Sequence, residues 1–265
     1  MRPMFAVQVT SRDDAELHKT IEALKQAGLD YETFGVIPFE YEITNLEAFP
    51  TDRPVIPLCG TKVLDMWLKT LVPENWHLFY NEHHMDQAYA ERFYGTQLLN
   101  YWCELRVFDE AKDLVWDYPR FVKPVDDRKA FGGLVLDAGE SLAQALEKMT
   151  HQPIDPAQGV LISDLQNLGR EFRMFVVDGE VIDIAEYRNR GHVQHKKVYA
   201  QDADKLRAYH KTVHHPTAPR AYVMDVCEVV EDVTDLRIVE LNCLNCSGPY
   251  TVDRAQVYSA VAKAV

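Results

Sequence analysis

Two β-like runs near the C-terminus, Tyr222-Val-Met-Asp225-Val-Cys-Glu228 and Arg237-Ile-Val-Glu240-Leu-Asn242, carry acidic groups at positions a folded sheet should avoid. Enrichment in Val, Ile and Tyr marks both as strands, and Glu231 to Asp235 between them reads as the turn of a hairpin. Side chains two apart on a strand share a face, so Glu240 and Asn242 point the same way. A turn centred between Asp232 and Val233 sets Asp225 opposite Glu240 on that face. Carboxylates directly across a strand pair repel, which is destabilising unless a cation sits between them. The all-oxygen set Asp225, Glu240 and Asn242 suits Mg²⁺, which takes one or two carboxylates and completes its octahedron with waters and phosphates. The alternative is a solvent-exposed hairpin with surface acids.

Other residues could hold an anion. Lys123 ends the β-run Phe121-Val-Lys123-Pro124, and Asp126 to Gly133 follows as a loop containing Lys129 and Phe131 and ending in Gly132-Gly133. An ammonium is a compact cation for phosphate, and glycines let backbone N–H groups come close. A surface turn with solvated lysines fits the same residues. Glu171 and Arg173 share a strand face and Arg188 lies on the next strand, a cationic site or a plain cross-strand ion-pair surface. Arg188 to Lys197 is a basic cluster that reads as a solvated loop or as a grip on an anionic co-substrate. Cys243 and Cys246 have C-x-x-C spacing, but no second Cys/His pair stands at finger spacing, so small packed residues are the simpler reading than zinc or redox chemistry. His83-His84 and His214-His215 read as surface histidines.

The whole chain narrows the classes. Its 265 residues can bury a sizeable core. The net charge of −13 argues against general nucleic-acid binding. No apolar run reaches the roughly 18 residues of a membrane span, and the N-terminus lacks a signal-peptide pattern, so a cytoplasmic protein is expected. Five cysteines, Cys59, Cys103, Cys227, Cys243 and Cys246, do not read as a disulfide framework.

These side chains need elements to position them. Met4 to Val9, Asp13 to Gln26 and Tyr31 to Val36 read as strand, helix and strand, with Gly28 as C-cap. Val55 to Cys59, Gly60-Thr61 and a helix from Lys62 to Leu71 suggest a second such unit, so residues 1–111 are expected to form a small α/β domain and 112–265 a second domain. The second half holds strands at Pro119–Pro124, Gly133–Leu136, Gly159–Asp164, Glu171–Val177 and Val181–Tyr187, with a helix at Ser141–Met149. Asp178-Gly179 predicts a tight hairpin turn.

The order of these parts resembles an ATP-grasp domain. Lys-Pro, Lys-x-Phe-Gly-Gly, the strand Leu161-Ile-Ser-Asp164, Glu-Phe-Arg-x-Phe-Val-x-Asp-Gly, Tyr-Arg and Asp…Glu-x-Asn follow one another as in the R2K clade of bacterial and phage proteins, and look family 3-like. The likeness runs from about Arg120 to the C-terminus, with weaker features at Val55 to Thr61 and Tyr94 to Asn100. It implies an α+β or α/β ATP-grasp fold preceded by a small α/β pre-ATP-grasp domain. Lys123 and Lys129 would hold ATP phosphates, and the Phe131, Gly132 and Gly133 loop would close over them. The backbone of Leu161, Ile162 and Ser163 would meet the adenine edge, with Glu171 among the nucleotide-binding residues. Arg173 and Arg188 would act at the γ-phosphate, and Asp225, Glu240 and Asn242 would bind Mg²⁺. The clade often has Arg-Pro where this chain has Lys123-Pro124, and Cys243 to Tyr250 resembles a clade stretch with its small residues shifted.

The activity implied is an ATP-dependent carboxylate–amine ligase working through an acyl phosphate on small-molecule, peptide or protein carboxylates and amines. A kinase without ligation and a nucleotide-binding interaction protein with little turnover are the alternatives.

Overall fold

The computed structural model describes residues 2–9, 14–37, 42–69, 73–126, 130–149, 153–230 and 232–265. The N-terminal unit contains β1 (Met4–Gln8), α1 (Asp14–Gln26), β2 (Asp30–Val36), β3 (Ile43–Thr44), β4 (Val55–Leu58) and α2 (Thr61–Lys69). Its strands lie in the order β3-β2-β1-β4, with β1 parallel to both β2 and β4. Parallel neighbours require crossovers, and α1 supplies the first. Gly28, at φ 64°, ends α1 in a left-handed residue that costs glycine nothing and turns the chain into β2. Alternation along β1 sends Phe5 and Val7 into one core with Leu24, while Ala6 joins Phe34, Trp67 and Trp76 in another. Both faces of this sheet are thus covered.

α3 (Glu82–Met85) and α4 (Gln87–Tyr94) lead into a second sheet made of β5 (Cys103–Val107), β6 (Arg120–Pro124), β7 (Leu134–Leu136) and β8 (Gly159–Asp164). α5 (Phe108–Ala111) and α6 (Leu142–Glu147) are interspersed, and α6 starts at a capping box formed by Ser141 and Gln144. The order is β5-β8-β6-β7, all antiparallel. β5 precedes the expected boundary at 112 yet hydrogen-bonds along β8. Val122, Val160 and Ile162 face the core under this sheet, leaving Phe121 and Lys123 on the opposite face.

The third sheet contains β9 (Leu168–Val177), β10 (Glu180–Asn189), β11 (His192–Lys197), β12 (Ala221–Val229) and β13 (Asp232–Cys243), ordered β11-β10-β9-β12-β13. α7 (Ala200–Val213) and α8 (Arg254–Lys263) complete the chain. Asp178 and Gly179, at φ 49° and 80°, form the predicted two-residue turn. Arg190 and Gly191, at φ 47° and 77°, make another, so the basic segment read as a loop is in fact a hairpin ending in an edge strand. Phe172, Met174, Val176, Met224 and Val226 fill the core on one face of this sheet. On the other face Phe175, Val177, Ala221 and Val223 pack against the N-terminal unit and α8, and farther along the same strands the apolar residues give way to Glu171, Arg173 and Asp225. This change of polarity along one sheet face places the site at the end of the hydrophobic core.

Asn245 joins the units. Its Oδ1 accepts from Phe79 N–H at 2.7 Å, and its Nδ2 donates to the Pro57 and His77 carbonyls at 2.7 and 3.1 Å. No described helix is long and apolar enough to cross a membrane.

Candidate functional site

A cavity of about 840 Å³ opens between the second and third sheets, lined by Phe121, Lys123 and Gly133 on one side and Arg173, Asp225 and Glu240 on the other. β12 and β13 pair with Asp225 opposite Glu240 as anticipated, but β13 already begins at Asp232 and pairs it with Val229. The expected turn over residues 231–235 is therefore not where the strands reverse, and a register shift between Glu228 and Val229 makes up the difference. The register then slips between Asp225 and Val226, leaving Val239 as a bulge residue at the cavity wall. Bulges re-aim side chains, and this one ends the apolar alternation beside the acids.

Arg173 is the direct cross-strand neighbour of Asp225 and grips it in a fork, Nε to Oδ1 at 2.8 Å and Nη2 to Oδ2 at 2.7 Å. Asn242 Nδ2 donates to the same Oδ2 at 3.2 Å. The Arg173 guanidinium also donates to the Gly248 carbonyl at 3.2 Å and lies 5.5 and 4.8 Å from the ring centres of Tyr187 and Tyr250, which stack on each other. Burial disfavours its charge, but Asp225 more than offsets that, so its pKa is raised. Across the cavity, Lys123 Nζ donates to Glu240 Oε2 at 2.9 Å.

Glu171 lies opposite Arg188, 3.8 Å from its Nη1, and accepts from the Tyr187 hydroxyl at 2.9 Å. Burial raises the Glu171 pKa against the lowering effects of that hydrogen bond and of Arg188. Arg188 Nε is buried with no hydrogen-bond partner among the described residues.

Asp225, Glu240 and Asn242 therefore share a face, with both carboxylates held by protein cations. Among the described residues no three His, Cys, Asp or Glu side chains form a metal-binding group. The donor set still fits a hard cation: two in-register carboxylates and an amide oxygen, with other oxygens supplied from outside the protein. Lys123 and Arg173 now provide the positive charge that the cross-strand carboxylates require.

The structure revises parts of the sequence reading. The backbone of Leu161, Ile162 and Ser163 is paired with β5 on one side and β6 on the other, so it is not available to an adenine edge. Ile162 points into the core below the sheet, and Ser163 Oγ is spent on Asn100. Asp164 to Leu168, the segment leaving β8, lines the cavity instead. Its signal was a polar stretch, Asp-Leu-Gln-Asn-Leu, between two strand patterns. Lys129 lies outside the described residues.

Phe131 is a core residue of the second sheet that also borders a smaller cavity of about 230 Å³ with Lys123, Gly132, Gly133 and Glu240. Gly133 is required by close approach, because a Cβ there would lie 2.8 Å from the Phe121 ring. His84 is buried rather than on the surface, bonded to Tyr94 and Thr217. Tyr187 was legible only as part of a Tyr-Arg motif, without its stacking partner.

A search of curated proteins finds no match. Among solved structures, D-alanine–D-alanine ligase from Bacillus anthracis is similar with TM-score 0.62 and 15% identity, covering 100% of this chain and 97% of that one. An ATP-grasp RimK domain protein from Sphaerobacter thermophilus gives TM-score 0.59 at 13% identity, covering 96% and 98%. The ATP-grasp ligase PsnB complexed with minimal precursor gives 0.55 at 14%, covering 99% of each. These likenesses show an ATP-grasp fold. The family model described as the ATP-grasp domain of the R2K clade, family 2, matches residues 104–260, more than half of the chain, and so this protein belongs to that family of the clade rather than to the family 3 its motifs had resembled.

Proposed function

We propose that this protein is an ATP-dependent ligase that joins a carboxylate to an amine through an acyl phosphate. The observation that carries the reading is the convergence of Lys123, Arg173 and Arg188 with Asp225 and Glu240 on one cavity. Among its described lining residues there is no Ser, Thr, Cys or His. Such a site has charge and position to offer but no such nucleophile, which suits phosphoryl transfer. Structural neighbours named as ligases agree with it.

In this mechanism the adenine lies against Asp164 to Leu168. Lys123 leaves Glu240 for the phosphates, exchanging one charge-assisted hydrogen bond for another. Asp225, Glu240 and Asn242 would hold Mg²⁺, which would supply positive charge to offset that of the nucleotide phosphates. Arg173 and Arg188 stabilise the transferring phosphoryl group, and the Arg188 Nε left without a hydrogen-bond partner is a donor ready for an oxygen. The substrate carboxylate attacks the γ-phosphorus and ADP leaves. The amine nitrogen then attacks the acyl carbon and loses a proton, and phosphate departs with the C–O bonding pair. Glu171 holds Tyr187 and Arg188 in place.

The test is magnesium-dependent ADP release across pools of amino acids and peptides, with Glu240→Ala alongside. Release that needs both a carboxylate and an amine and vanishes in the variant supports the ligase. Release without an amine requirement makes it a kinase, and ATP binding without release in any pool makes it a nucleotide-binding interaction protein.

A further inference from the structure

We propose that Cys59 and Cys246 are an oxidisable pair whose disulfide joins the N-terminal sheet to the end of the β12–β13 hairpin. Their sulfurs lie 3.8 Å apart across 187 residues of chain. A disulfide needs about 2.05 Å, so side-chain rotation and a small shift would close the bond. The approach is held on both sides. Cys59 N–H donates to the Asn245 carbonyl at 2.8 Å, and the Asn245 side chain is bonded to three backbone groups around β4.

The other thiols are poorly placed to compete. Cys243 is fully buried and its Sγ contacts Asn245 Oδ1 at 3.3 Å, so the pair suggested by C-x-x-C spacing is not the one whose sulfurs meet. Burial pushes the Cys103 and Cys227 thiols up to about 12, suppressing their thiolates. Cys59 and Cys246 are each half-buried and together line a cavity of about 250 Å³ with Gln8, Gly60, Ser247 and Gly248, which gives a small reagent access.

The chemistry is thiol–disulfide exchange with a small-molecule disulfide such as oxidised glutathione. One protein thiolate attacks a glutathione sulfur and releases a first glutathione thiolate. The second protein thiolate then attacks the protein sulfur of the mixed disulfide and releases another. The two protein thiols have lost two protons and two electrons, and the oxidant has become two glutathione thiols. The link would lie two residues before Gly248, whose carbonyl receives Arg173.

The experiment is incubation of the full chain with oxidised glutathione, alkylation of remaining thiols, proteolysis and mass spectrometry. A Cys59–Cys246 linked peptide, retained in Cys243→Ser, is the expected result, with a melting temperature that falls on reduction. In Cys246→Ser the same treatment should leave glutathione on Cys59. A Cys243–Cys246 link, stable glutathione adducts on both Cys59 and Cys246 of the unsubstituted protein, or full alkylation of both would overturn the proposal. The unsubstituted protein alone decides this if the Cys246→Ser variant does not fold, and no step depends on ligase activity.

Discussion

Arg173 and Asp225 face each other across β9 and β12 in a two-bond fork whose side chains are only 9% and 3% exposed. A buried pair of this kind gives modest net stability when intact, but removing one partner strands a charge in the interior. Arg173→Met is therefore expected to cost ~3–5 kcal/mol, measured by urea denaturation. A cost below ~1 kcal/mol would mean that water reaches Asp225. Arg173→Lys keeps the charge, loses the fork and should cost less.

Lys123 and Glu240 make the second cation–carboxylate contact, between the two sheets that border the cavity. Because Lys123 is proposed to exchange Glu240 for phosphate, Lys123→Met should weaken ATP binding about 10- to 100-fold. That range follows from ~1.5–3 kcal/mol for a hydrogen bond to a charged group, at ~1.4 kcal/mol per factor of ten. Calorimetric titration with ATP measures it, and unchanged affinity would remove Lys123 from the nucleotide site.

The paired glycines of the phosphate-loop candidate should behave differently. Gly133→Ala places a methyl 2.8 Å from the Phe121 ring and should cost ~1–3 kcal/mol as the ring is displaced. Gly132 has nothing within 4 Å of an added Cβ, so Gly132→Ala should stay within ~0.5 kcal/mol. Denaturation midpoints of the two variants give the comparison directly, and equal costs would count against the close-approach argument.

Acidification should destabilise the fold through two buried histidines. Burial, then the nearby His215, lowers His84 from 6.5 to about 4, and burial, then His214, lowers His210 from 6.5 to about 4. Between those values the unfolded chain takes up protons that the folded chain refuses. Their contribution is full above 6.5 and is lost as the pH falls towards 4. Glu171, raised by burial, acts in the opposite sense. The check is the pH slope of stability in His84→Gln and His210→Gln against the parent: each should be shallower, and an unchanged slope would show that these imidazoles remain protonatable in the folded protein.

Part of the site was local in origin. Period-two alternation put Glu240 and Asn242 on one face, but the register that sets Asp225 opposite Glu240 did not come from the expected turn. β13 already begins at Asp232, Val229 pairs with Asp232, and two register shifts, between Glu228 and Val229 and between Asp225 and Val226, bring the acids opposite each other. Asp178-Gly179 specified its own turn through backbone conformation, and the order of motifs carried the clade but not the family within it. Side-chain partners distant in sequence were not legible. The fork from Arg173 to Asp225 spans 52 residues, Lys123 to Glu240 spans 117, and Cys59 to Cys246 spans 187. Strand alternation says which face a residue takes, but not which strand lies beside it. For the same reason the backbone of Leu161 to Ser163 looked open in the sequence. Only the placement of β5 and β6 along both edges of β8 decided that its hydrogen bonds were already used, leaving Asp164 to Leu168 to line the cavity.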